Sequence, residues 1–191
     1  MIENIKQEKL AKAKKMMLLF GLLSITMTFA GLTSAYIVSK GRPDWTMDFN
    51  LPSEFFYSTF IILLSSLTLF VSKRKLNSGK SINSVFNWTL VTFVLGIVFI
   101  DFQFIGFNNI IDQGYYFAGA QSAIKTSFIY VLSFLHIVHL VAGLIVLIIL
   151  MFNIKKGKYV DNNLGFNLGS NFWHFLDFLW LYLFSFFYFF G

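Results

Sequence analysis

Cysteine is absent from the 191 residues. Disulfides, thiolate metal centres, iron–sulfur clusters and cysteine nucleophiles are therefore excluded on this chain, and a metal would have to be held by histidine and carboxylate. Charge is scarce as well, at 13% of residues, while 57% are hydrophobic and 20% aromatic. That composition excludes an ordinary soluble domain and is that of an integral membrane protein. The two prolines, Pro43 and Pro52, fall outside every long apolar run. The formal charge of +6 does not indicate nucleic acid, because the basic residues lie in short blocks between apolar runs and not on one amphipathic or glycine-rich element. Internal repeats and low-complexity linkers are not evident.

Residues 1–15 form a lysine-rich segment, and 16–191 read as one transmembrane domain of all-α class with five spans at about 16–38, 54–72, 85–107, 127–152 and 171–190. The first run exceeds the usual core of a signal peptide, so a retained helix is expected. Gly21, Ser24, Gly31, Ser34 and Ala35 make a narrow strip along it where another helix could approach. The segment 40–53, with Pro43, Asp44, Asp48 and Pro52, reads as a loop, and Trp45 as an interface residue. A longer connection, 108–126, is polar and contains glycine.

Five spans put the termini on opposite sides. Lys6, Lys9, Lys12, Lys14, Lys15, Lys73, Arg74, Lys75, Lys80, Lys155, Lys156 and Lys158 fall on the N-terminal side, leaving Lys40, Arg42 and Lys125 for the other. The positive-inside rule then places the N-terminus in the cytoplasm and the C-terminus outside, which is the periplasm if the membrane is a bacterial inner membrane.

Ionisable residues inside such runs need partners, because hydrocarbon supplies none. All three histidines lie in the last two spans: His136 and His139 in the fourth, His174 in the fifth, the latter three residues before Asp177. A spacing of three puts each pair on one helical face. At 1.5 Å per residue, counted from the outer end of the fourth span through an apolar core about 30 Å thick, His139 lies about 12 Å above the inner boundary, and Asp177 about 9 Å above it, so the two can meet. Asp101 and Gln103 form a second candidate polar site near the outer end of the third span.

Three readings compete for this constellation. An interhelical hydrogen-bond cluster, with Asp177 accepting from an imidazole, would hold the bundle in register. Metal or haem ligation is chemically open to His and Asp, but the ligand set is incomplete for either. A proton or substrate path is the third, against which stands the lack of mid-span helix breaks. Trp173, Trp180, Tyr182 and Tyr188 fit packing or interface anchoring.

His136, His139 and Gly143 have the spacing His-x-x-His-x-x-x-Gly, and Trp173, His174, Phe175, Asp177 and Trp180 read Trp-His-Phe-x-Asp-x-x-Trp. Together these motifs resemble subunit III of haem-copper respiratory oxidases, in its short five-helix bacterial form. Phe29-Ala30-Gly31-Leu32 with Ser34-Ala35-Tyr36, and Gln103 onward to Gln113-Gly114, extend the likeness over most of the chain from about residue 16. Ile25 stands where many members of that family carry an intramembrane glutamate. The resemblance implies a non-catalytic subunit of a cytochrome c oxidase in a bacterial inner membrane, docked on catalytic subunit I, carrying phospholipid and supporting proton uptake. Haem and copper would belong to partner subunits, with no cofactor on this chain. An accessory subunit of a quinol oxidase or nitric oxide reductase is the alternative.

Overall fold

The computed structural model describes residues 2–42, 45, 52–79, 81–117, 124–159 and 162–190, with side chains from residue 5 onward. Pro43, Asp44, Asp48 and Lys80, and the centre of the connection at 118–123, lie outside the described residues.

Apolar runs of this length satisfy their backbone polar groups internally only as helices, and five form. They are α1 (Ile2–Ser39), α2 (Glu54–Asn77), α3 (Ile82–Asp112), α4 (Ile124–Lys155) and α5 (Leu164–Phe190). Each is long and apolar enough to cross a membrane, so the expected all-α, five-span architecture is found. The helices outrun the apolar spans at most ends. α1 continues without a break through the lysine-rich segment, whose Lys, Glu and Ala are good helix formers. α2, α3 and α4 each stop two residues before a glycine with positive φ, at 64° for Gly79, 87° for Gly114 and 68° for Gly157. Such left-handed residues close a helix C-terminus at no steric cost to glycine.

α2 and α3 form an antiparallel hairpin laced by hydroxyls. Ser72 meets Thr89 at 2.9 Å, Thr68 meets Thr92 at 2.8 Å, and Gln103 donates to Ser58 at 2.8 Å. The hairpin closes into a ring of four with α4 and α5, in the order α2, α3, α4, α5 and back to α2, while α1 lies outside that ring against α4 and α5. Its inward residues are Phe29, Thr33 and Tyr36. Thr33 and Tyr182 hydroxyls are 2.8 Å apart, and the Tyr36 hydroxyl donates to the Phe190 carbonyl at 3.1 Å. Trp45 packs edge-on to Tyr36, with ring centres 4.9 Å apart.

The small-residue strip of α1 meets no other helix of this chain among the described residues. Gly21, Ser24, Gly31, Ser34 and Ala35 are exposed, and nothing lies within 4 Å of a side chain built at Gly21 or Gly31. The strip points away from the other helices, because the bulky Phe29 and Tyr36 on the opposite side occupy the groove between α4 and α5. Ile25, by contrast, is half-buried against the core.

Candidate functional site: the tryptophan-filled ring of helices

α5 brings its polar and aromatic residues to the middle of the four-helix ring. The Trp173 side chain enters a notch made by two glycines on two other helices. A Cβ on Gly96 of α3 would stand 2.7 Å from Trp173 Cη2, and one on Gly143 of α4 would stand 3.1 Å from Trp173 Cε3 and 2.8 Å from Leu176 Cδ1. Any larger residue at either place would have to displace the indole. The indole N–H is spent on α2, donating to Ser65 Oγ at 3.1 Å. Trp173 thus touches the other three helices of the ring, α2, α3 and α4.

Trp180 repeats the arrangement two turns later. It is fully buried, donates its N–H to Thr59 Oγ1 of α2 at 2.9 Å, stacks on Phe55 with ring centres 6.0 Å apart, and meets Phe99 edge-on at 5.1 Å. His136 of α4 leans over the same indole, its ring centre 5.2 Å away. Both of its nitrogens lack hydrogen-bond partners among the described residues, as does the hydroxyl of Ser133 one turn earlier.

The remaining histidines go elsewhere. His139 Nδ1 donates to the carbonyl of Leu135 in its own helix at 2.8 Å, and its ring lies edge-on to Phe29 of α1, with centres 5.7 Å apart. His174 faces α2, where its Nδ1 is 2.7 Å from Ser66 Oγ. Asp177 is buried beside it, with 4.0 Å between His174 Nδ1 and Asp177 Oδ2. Neither oxygen of Asp177 has a hydrogen-bond partner among the described residues, although Ser66 also lies against the carboxyl.

The expected contact between His139 and Asp177 is therefore not made. Depth alone suggested it, but His139 turns toward α1 while Asp177 turns toward α2. His174 and Asp177 do share a face, at a separation beyond a hydrogen bond. Asp101 and Gln103 are also separated: Gln103 is fully buried on Ser58, whereas Asp101 is exposed on the outer side of α3. Two residues turn a helix by about 200°, which sends such a pair to opposite faces.

What sequence reading missed lies on α2. Ser58, Ser65 and Ser72 recur every seven residues, two full turns, and all three are fully buried. Ser58 and Ser65 satisfy their own hydrogens on the preceding turn, at the carbonyls of Phe55 and Ile62, and Ser72 donates across to the carbonyl of Val85. Their oxygens stay open to accept from Gln103 and Trp173 and to meet Thr89. The spacing was the available signal.

The three imidazoles thus have three separate surroundings. Among the described residues no group of three or more His, Asp and Glu is placed to hold a metal ion. What the arrangement does is pack: α5 is fitted into its neighbours by two indoles, each placed sterically and tied by one hydrogen bond to α2.

This pattern, with Trp173 seated on Gly143 and His136 on Trp180, joins the two motifs that carry the family resemblance. The model of the family described as cytochrome c oxidase subunit III matches residues 9–191. The chain belongs to that family. Subunit 3 of the cytochrome bo(3) ubiquinol oxidase of Pseudomonas aeruginosa is 32% identical over 169 residues, covering 86% of this chain and 78% of that one. Cytochrome c oxidase subunit 3 of Bacillus sp. PS3 is 30% identical over 165 residues, with 84% and 77% covered. Quinol oxidase subunit 3 of Bacillus subtilis is 28% identical over 164 residues, with 82% and 77% covered. The protein is a multi-pass membrane protein and a subunit III of the haem-copper oxidases, the oxygen-reducing terminal oxidases of respiration.

Proposed function

We propose that this chain is a non-catalytic subunit of a proton-pumping haem-copper oxidase in a bacterial inner membrane. It docks on catalytic subunit I and supports that subunit's stability, lipid surroundings and proton uptake. The observation that carries this reading is Trp173 in its notch between Gly96 and Gly143: the family motif residues serve the packing of α5. Haem and copper belong, on this reading, to partner subunits. The N-terminus lies in the cytoplasm and the C-terminus in the periplasm, as the lysine distribution favours.

The subunit also carries phospholipid. A cleft of about 530 Å³ opens between α1 and the α4–α5 pair, with an apolar wall that includes Met17, Val146 and Phe172, and with Lys14, Asn153 and Tyr159 at its polar end. An adjoining hollow adds Lys158 and Asn162. Burial holds the Tyr159 hydroxyl above the ordinary phenol range, against the opposing pull of Asn153, so it stands there as a neutral donor. Acyl chains suit the wall and a phosphate suits the mouth.

Cytochrome c is the electron donor of the first reading, supported by the family's description and the relative from Bacillus sp. PS3. A quinol is the second, supported by the relatives from Pseudomonas aeruginosa and Bacillus subtilis. The test is purification through a tag on this chain in mild detergent, with mass spectrometry of the partners, an optical spectrum, and oxidation assays with reduced cytochrome c and with quinol. A haem spectrum that stays with a large subunit after this chain is stripped away supports the reading, and the substrate oxidised selects the donor. A chain that emerges alone and coloured would sink it.

A further inference from the structure

Asp101 is the one acidic residue on α3 that lies within the apolar span, about six residues and hence about 9 Å inside its outer boundary. It is exposed at the surface of the bundle and has no hydrogen-bond or ion-pair partner among the described residues. It stands opposite the buried stripe of Phe99 and Gln103, on a face whose neighbours Val94, Ile97, Phe104 and Ile105 are 49%, 40%, 50% and 51% exposed. Further out along the same face come Asn108 and Asp112, both exposed. α3 contains no Lys or Arg.

A carboxylate facing acyl chains costs about 2.5–3.5 kcal/mol even on the lenient insertion scale, and intramembrane acids almost always turn toward protein or water. Among the described residues the bundle offers Asp101 no partner, so the covering group is sought on another molecule. The apolar residues flanking it have the character of a helix-packing face, and its formal charge is negative only. Complementarity selects a cationic partner.

We infer that the outward face of α3, centred on Asp101, is the surface against which a transmembrane helix of another oxidase subunit packs, presenting a Lys, Arg or imidazolium N–H to this carboxylate. The inference rests on the subunit reading above and adds to it the contact face and the chemistry of the contact. Since Asp101 bonds to nothing among the described residues of its own chain, its replacement is expected to leave the fold of that chain intact and to remove only the intermolecular bond.

The experiment is retention of the oxidase on the tagged chain through graded detergent washes, for the native chain, Asp101→Asn and Asp101→Leu. Removing one member of a desolvated charge pair is expected to weaken retention more than about tenfold for Asp101→Leu, with Asp101→Asn between the two. The helical circular dichroism and elution volume of each chain should match the native chain. In parallel, a photoreactive benzoylphenylalanine in place of Ile105 should cross-link to a transmembrane peptide of a haem-bearing subunit, while the same group in place of Phe60 on α2 should not. Undiminished retention by Asp101→Leu, or cross-links from position 105 only to lipid or to a second copy of this chain, would overturn the docking face while leaving the subunit reading intact. A native chain that retains no haem-bearing subunit would overturn both.

Discussion

Trp173 and Gly96 fit so closely that a single methyl group on the glycine would stand 2.7 Å from the indole Cη2. The contact joins α5 to α3, which are not sequence neighbours, and Gly143 closes the other side of the same ring system. Space at this point is set by what is missing from two side chains.

Gly143→Leu is expected to destabilise the chain by about 1–3 kcal/mol, the usual cost of forcing atoms into a packed interior. Unfolding by SDS titration in mixed micelles, followed by circular dichroism, measures it. Gly21→Leu, on open surface of α1, should leave the midpoint unchanged, and equal effects at the two glycines would contradict the notch.

Trp180→Phe keeps most of the ring volume and removes the N–H that Thr59 accepts at 2.9 Å. Hydrogen bonds between membrane helices average about 0.6 kcal/mol and reach about 1.7 kcal/mol, so a loss in that range is expected. A double-mutant cycle with Thr59→Val should return most of it as coupling energy. Additive losses would mean that the bond contributes nothing to stability.

Asp177 is buried, and neither oxygen meets a hydrogen-bond partner among the described residues, with His174 Nδ1 at 4.0 Å and Ser66 the polar groups beside it. Replacing a buried polar group that makes no hydrogen bond by an apolar one of similar shape is nearly neutral or stabilising. Asp177→Leu should therefore unfold at the same SDS fraction as the native chain, or a higher one. A loss of more than about 2 kcal/mol, within the range for stranding a true partner, would reveal a hydrogen bond to this carboxyl.

Lys14 and Lys158 flank the mouth of the cleft between α1 and the α4–α5 pair. Each basic residue near an anionic lipid surface contributes on the order of 1 kcal/mol. The variant carrying Lys14→Glu and Lys158→Glu should thus retain more than about tenfold less phosphatidylglycerol in native mass spectrometry, with zwitterionic lipid little affected. Equal retention of the anionic lipid would remove the headgroup from this mouth.

The five helices were legible because unbroken apolar runs leave a chain no other choice in a bilayer. Their ends were less so. α1 begins at Ile2 and not near residue 16, and α5 at Leu164 and not at residue 171, since a helix continues through Lys-, Glu- and Asn-containing turns after it leaves hydrocarbon. At the site, the spacing of His174 and Asp177 gave their common face, because three residues nearly complete a turn. Spacing carries no information about which helix lies opposite. Comparing depths ignored rotation about the helix axis, and so matched His139 with Asp177 when one faces Phe29 and the other lies beside Ser66. Gly96 looked like any glycine in a span, and its role emerged only with the indole in place.

The hydroxyl lacing of α2 and α3 bears on how the protein is made. Ser72 with Thr89, and Thr68 with Thr92, are settled within one hairpin and need nothing from later sequence. That hairpin can enter the bilayer as a finished unit. Ser65 and Thr59 receive their indole N–H groups only when α5 arrives, and α5 follows the other four helices in translation. Until then the hollow beside Gly96 and Gly143 has no indole to fill it, so α5 on its arrival is the helix that closes it.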